Sequence, residues 1–190
     1  MVDSSRGMAN TFLGEINVPK LRISLCARTK NMKKNIVAEN SAWDSANIES
    51  YLSNAHIPCR LSCITRDGFP HVTSLWFKYQ ADKLWFSFQQ SSKLALWLAE
   101  EPRCGFEIAG NSPPYHGVRG RGWAWLLESS EKPVLESLIK RYLGTDASPL
   151  ARWLLSRPNT ELTLAVSPSW VTSWDYRKRM DNSTCTTGRE

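Results

Sequence analysis

Residues 90–98, Gln-Ser-Ser-Lys-Leu-Ala-Leu-Trp-Leu, set two hydroxyls and an ammonium at the head of an apolar helical run. The first turn of a helix leaves N–H groups without intrahelical partners and carries a partial positive charge, so it suits a phosphate. Ser91 and Ser92 add hydroxyl donors, Lys93 adds a full charge, and Lys78 on the preceding strand is a second candidate cation. Serine before a helix is also the ordinary N-cap residue. On these residues alone, phosphate binding and plain capping both stay open.

Other candidates are sparser. His71 lies beside a turn and His116 follows Tyr115 in a Pro-rich loop. Either could reach a ligand, and a hydrogen-bonded surface imidazole explains each more simply; His56, at the end of a helix, needs no function. Trp76 and Trp174 could stack on a flat ring or pack in a core or interface, whereas Trp97 and Trp153 sit at helical spacing with leucines and read as packing. Arg119 and Arg121 alternate on one strand and project to one side, towards solvent or an anionic ligand. Three dispersed histidines argue against a metal site. Five cysteines, an odd number with no CxxC, signal neither a zinc site nor a disulfide framework. Cys59 and Cys63 share one strand face and read as small hydrophobes. No Ser-His-Asp arrangement and no acid–base pair follow from spacing, so the catalytic residues are unassigned.

The elements that must position these groups are legible from residue 44 onward. Asp44 or Ser45 caps a helix with Ile48, Tyr51, Leu52 and Ala55 at helical spacing, ending before Pro58. Residues 59–66 alternate as a strand, Asp67-Gly68 is a hairpin turn pair, and residues 71–79 return. A turn at 80–83 leads to a strand at 84–88, then to a short helix at 94–99 that stops near Pro102. Strands follow at 103–109 and 118–127, separated by a Pro-rich loop and with glycines at 117, 120 and 122. An amphipathic helix capped by Ser129 or Ser130 carries Val134, Leu135, Leu138, Ile139 and Tyr142, with Gly144 beyond its end. Residues 149–156 read as another helix, and 160–166 and 170–176 as two closing strands. Six or seven strands joined mostly by short turns favour an antiparallel barrel with outer helices over a doubly wound sheet.

A chain of 190 residues, 42% hydrophobic, suits one domain with a single core. We expect an irregular extension over residues 1–40, with Met32 as a second plausible start, a folded domain over 41–180 and a loose tail over 181–190. The net charge of +6 invites a nucleic-acid reading, but the basic residues are scattered and no recognition motif accompanies them. No run of about 20 apolar residues is present to span a membrane. Residues 11–27 lack the apolar core and cleavage site of a signal peptide, so a cytoplasmic setting is expected.

The stretch Asp67-Gly68-Phe-Pro70-His-Val-Thr-Ser-Leu-Trp76, then Lys83-Leu-Trp-Phe-Ser87, then Ser92-Lys93 with Leu98 and Glu101-Pro102-Arg103, resembles the core signature of the pyridoxamine-phosphate-oxidase-like, FMN-binding split-barrel superfamily. Tyr115, the Gly120/Gly122 strand with Ala124, and Trp174-Asp175-Tyr176 with Met180 fit it too, so that the similarity spans roughly residues 45–180. The resemblance implies a mainly β (α+β) six-stranded antiparallel split barrel with peripheral helices, homodimeric, with two flavin sites in the grooves between subunits. Carried over by position, Thr73, Ser74 and Leu75 would lie along the flavin and its ribityl chain, and Phe86 and Ser87 would flank the ring or ribityl. Ser92 and Lys93 would hold the phosphate, Lys78 would stand near cofactor or substrate, and Trp76 and Trp174 would contact the ring.

Departures from the strict oxidase pattern matter. Ser92-Lys93 replaces an Arg-Lys pair, Thr73 replaces a phosphate-contacting Arg, and residues 170–180 lack the Arg-Leu-His-x-Arg element that helps hold pyridoxal phosphate. The resemblance therefore implies an FMN-dependent oxidoreductase of unknown substrate and electron donor rather than a vitamin B6 oxidase. Alternatives within the same likeness are a deazaflavin-dependent reductase and a flavin- or haem-binding protein without turnover.

Overall fold

Asp44 Oδ1 accepts a hydrogen bond from Asn47 N at 2.8 Å and starts helix α1 (Ser45–Asn54), which ends ahead of Pro58 and leads into strand β1 (Cys59–Ile64). A computed structural model describes residues 34–128, 133–157 and 160–181. The Asp67-Gly68 turn, with Gly68 at φ 84°, returns the chain as β2 (Pro70–Leu75). A short β3 (Lys78–Gln80) follows, and a tight turn with Ala81 and Asp82 both at positive φ leads to β4 (Lys83–Gln89). Helix α2 (Lys93–Glu100), strands β5 (Arg103–Ala109) and β6 (His116–Glu128), helices α3 (Pro133–Leu143) and α4 (Pro149–Ser156), strand β7 (Glu161–Asp175) and a short α5 (Arg177–Asp181) complete the order.

All seven strands join one antiparallel sheet in the order β2-β1-β5-β6-β7-β4-β3. Its inner face holds Cys59, Leu61 and Cys63 of β1, Leu84, Phe86 and Phe88 of β4, and Leu162, Leu164 and Val166 of β7. Ile48 and Leu52 of α1 and Leu94 and Leu98 of α2 pack against the same core. Each such side chain contributes about 1.5–3 kcal/mol by leaving water. Leu135, Ile139 and Ala151 form a smaller core where α3 meets α4, with Trp76 packed against it.

The architecture corrects the expected six-stranded barrel in count and closure. The sheet has seven strands, and its edges β2 and β3 are not paired to each other, so it does not close. The cause lies in residues 71–79, which do not run as one strand. Phe77 turns fully into the core, and its N–H donates to Tyr142 Oη at 3.2 Å instead of to a strand neighbour. The return strand therefore ends at Leu75 and restarts at Lys78.

The opposite correction applies to the two closing strands, which form the single β7. Its Ser167-Pro168 segment passes a register shift between Arg121 and Gly122. A Cβ on Gly122 would collide with the Ser167 carbonyl, so the close approach needs glycine there.

Residues 34–40, expected to be irregular, include a 3₁₀ turn at Lys34–Ile36 and a bridge from Val37 to Val171. Ala38 N donates to Val171 O at 2.8 Å and Trp43 N to Ser173 Oγ at 2.8 Å, which fastens this segment along β7. The expected tails at 1–33 and 182–190 and the caps at Ser129 and Ser130 lie outside the described residues. Trp97 packs against the core as expected. Trp153 does not: it is 56% exposed, with the Arg157 guanidinium 4.7 Å from its ring centroid.

Candidate functional site

A cleft of about 410 Å³ opens where the ends of β2, β4 and β7 meet the α3–α4 pair. Strand alternation sets its walls. Ser74 and Leu75 end β2, Trp76 begins the break that Phe77 enforces, and Ser87 and Gln89 project from β4. Leu135 and Leu138 of α3 and Leu150 and Leu154 of α4 form an apolar roof. The Trp76 indole is stacked on Tyr142 at 5.1 Å with rings 5° from parallel, which fixes it in the wall. At the polar end Glu161, only 7% exposed, accepts a hydrogen bond from Ser87 Oγ at 3.4 Å and stands 3.7 Å from Arg157 Nη1.

Four of the ten residues expected to hold a cofactor thus line one cavity: Ser74, Leu75, Trp76 and Ser87. Thr73 adjoins it, half-buried on the opposite face of β2 from Ser74. Phe86 points into the core, its ring 6.5 Å from that of Phe77, so its side chain does not face the cleft. Lys78 is half-buried opposite Trp85, and burial lowers its ammonium pKa. Ser92 caps α2, accepting from Ala95 N at 3.3 Å, and Lys93 beside it is exposed. Neither lines the cleft; they follow Gln89, which does, by three and four residues in the chain. Trp174 stands apart, opposite Gly117 with Arg119 5.4 Å over its ring. About 40 Å of extended strand separates it from Glu161.

Sequence reasoning missed Gln89, Arg157, Glu161 and the leucine roof. The leucines were visible as the apolar stripes of two helices, but nothing in their spacing says which surface those stripes cover. Glu161 reads in sequence as the polar flank of a strand, and only the fold buries it.

The remaining chemistry-bearing groups lie elsewhere. His71 packs 4.9 Å from Trp97, and His116 sits near Trp43 and Tyr51 with Nδ1 2.9 Å from Pro114 O. Burial pushes the Cys104 thiol up to about 12 and Cys59 higher still, which leaves both un-ionised and unsuited to nucleophilic work. Among the described residues no three His, Cys, Asp or Glu side chains come together to hold a metal ion, and no helix is long and apolar enough to cross a membrane.

A second groove, of about 380 Å³, lies on the outer face of the sheet between Arg60, Val72, Glu107, Arg119 and Trp170, floored by Ser62, Gly105 and Gly120. Along the same face β6 presents Arg119, Arg121, Trp123 and Trp125 in alternation, the two indoles 48% and 43% exposed.

Solved structures share this fold. The conserved hypothetical protein Rv2991 from Mycobacterium tuberculosis aligns at TM-score 0.62 and 25% identity, over 75% of this chain and 91% of that one. An F420 reductase aligns at 0.55 and 20%, over 65% and 94%. A pyridoxamine 5'-phosphate oxidase candidate from Listeria innocua aligns at 0.50 and 15%, over 67% and 93%. The chain shares its fold with these three proteins. The opening of the sheet falls between β2 and β3, beside Trp76. No protein-family model matches the sequence, and no curated protein matches it.

Proposed function

We propose that the chain is a flavin-dependent oxidoreductase that holds FMN in the cleft beneath α3 and α4 and acts as a homodimer. The observation that carries this reading is the convergence of Ser74, Leu75, Trp76 and Ser87 on one cavity, apolar at one end and polar at the other. The fit can be judged from the residues present. Leu75, Trp76, Leu135 and Leu138 offer a surface for a planar ring, Ser74, Ser87 and Gln89 offer hydrogen bonds to a hydroxyl chain, and Lys93 at the α2 start offers charge for a phosphate. The chemistry such a group supplies when bound is hydride and electron transfer. The chain's own work is to orient it: Trp76, pinned by Tyr142, limits where a ring can lie, and the leucine roof excludes water.

Dimerisation is supported by the outer face of β6. Two exposed indoles in one row, flanked by arginines, match the aromatic and arginine enrichment of protein interfaces. Arg119 and Trp174 sit on that face, so a second copy docked there gives Trp174 a route to a partner's cofactor that it lacks within its own chain.

A deazaflavin-dependent reductase is the second reading. It is favoured by the α2 start, where the Ser92 hydroxyl is engaged in capping and Lys93 supplies the charge of the first turn. The visible spectrum of the purified protein tests both. A two-banded flavin absorption with FMN released on denaturation supports the first reading, while a colourless protein that takes up only added deazaflavin moves the assignment to the second. A protein that binds neither overturns both.

A further inference from the structure

The polar end of the cleft contains a carboxyl group that lines the cavity. Glu161 opens β7 opposite Gln89, is more than nine-tenths buried, and lines the cavity. A carboxylate has about four acceptor sites. Ser87 Oγ fills one at 3.4 Å, near the limit of a hydrogen bond, and Arg157 Nη1 at 3.7 Å balances charge without closing one. Acceptor sites that face the cavity take donors from whatever occupies it.

We propose that Glu161 is the acceptor for the hydroxyl chain of the bound cofactor and makes this part of the cleft selective for a polyol. The inference rests on the flavin reading above and deepens it. Arg157 already pairs with Glu161, and the phosphate is left to the α2 start that follows Gln89 in the chain, where Lys93 is exposed. The ring is left to the Leu75–Trp76 end. Adjacent hydroxyls between these two ends meet the carboxylate, with Ser87 and Arg157 holding it in place. Flavins and 5-deazaflavins share such a chain, so the assignment stands under either cofactor.

The test titrates full-length wild-type protein and Glu161→Gln with four probes: FMN, riboflavin, lumiflavin, which lacks the polyol, and the 8-hydroxy-5-deaza analogue of riboflavin. Glutamine keeps the shape and withdraws the charge. Binding of the polyol-bearing probes is expected to weaken about tenfold, the loss of one charge-assisted hydrogen bond, while lumiflavin changes less than about twofold. Ser87→Ala should weaken the same probes to a lesser degree. If Glu161→Gln does not fold, as judged by near-ultraviolet dichroism, Glu161→Asp, which retracts the carboxylate by one methylene, reads the same discrimination. Equal weakening of lumiflavin would assign Glu161 to the cavity wall and overturn the proposal. Tighter FMN binding with riboflavin unchanged would set the phosphate against Glu161 and overturn it too, as would no change with any probe. Failure of wild-type protein to bind all four removes the flavin reading itself, and the inference with it.

Discussion

The cleft under α3 and α4 and the groove on the outer sheet face differ little in volume, about 410 against 380 Å³, yet they are built on opposite principles. The cleft is roofed by leucines on two helices and hides one carboxylate. The groove is floored by glycines and rimmed by side chains that remain in water, its Arg60–Glu107 pair at 3.4 Å being about one-third and two-fifths exposed. Burial restricts a polar group to the few partners around it, here Ser87 and Arg157 for Glu161. An exposed arginine–tryptophan row gains from contact with another surface instead. Size alone does not separate a ligand site from a contact face; what each does to the solvation of its polar groups does.

The strongest way to break this contrast is to charge the outer face. On the proposed flavin-bound homodimer, Trp123→Glu combined with Trp125→Glu should remove at least about 2 kcal/mol of association per residue, roughly thirtyfold each, and sedimentation should show monomer and released cofactor. A variant that stays dimeric and coloured would make the row a plain surface.

Next in size is Gly120→Ala. A Cβ there would stand 2.6 Å from the Trp170 carbonyl oxygen and 2.5 Å from Phe106 Cζ, so urea denaturation should report a loss of about 1–3 kcal/mol. The added methyl would press on the core side of the sheet that floors the groove, against the Phe106 ring.

At the cleft, Lys93→Ala should weaken FMN by about 1–2 kcal/mol and riboflavin hardly at all, measured by fluorescence titration. Equal loss for both would separate Lys93 from the phosphate.

The smallest effect is expected at the far end of β7. Asp175 is held well below the usual carboxylate range, first by hydrogen bonds from the Arg177 side chain, with further help from Arg177 N and Trp43 Nε1 and against some desolvation. A depressed folded-state pKa stabilises fully above the unfolded value near 3.8 and is lost as pH falls below it. Asp175→Asn should therefore flatten the acid limb of the stability curve below about pH 4 and cost under about 1 kcal/mol at neutral pH, since Arg177 is half exposed.

Local pattern carried the fold far. Strand β5 and helix α4 have the bounds their alternation and helical spacing predict, and Asp44 caps α1 as expected. What the pattern missed was decided across the molecule. Residues 71–79 alternate well enough for one strand, and only the Tyr142 hydroxyl, 65 residues on from Phe77, breaks it. Ser167-Pro168-Ser169 looks like an interruption, and only the glycine opposite lets β7 run through. At the site, positions carried over from the family signature located β2 and β4, because those elements are contiguous in sequence. They did not locate Glu161 or Arg157, whose relevance arises from burial, or tell that Phe86 faces inward.

Tyr142 also binds the roof to the wall. Its hydroxyl donates to Ile57 O at 3.0 Å and lies 3.3 Å from Phe77 O, its ring backs Trp76, and neighbouring Arg141 donates to Ala55 O at 2.6 Å. Helix α3 is thus riveted at several points to the connector before β1 and to the gap between the sheet edges. It cannot swing outward to admit a ligand without dragging the tryptophan with it. Traffic into and out of the cavity must then pass on the α4 side, where Leu150 and Trp153 already stand in solvent.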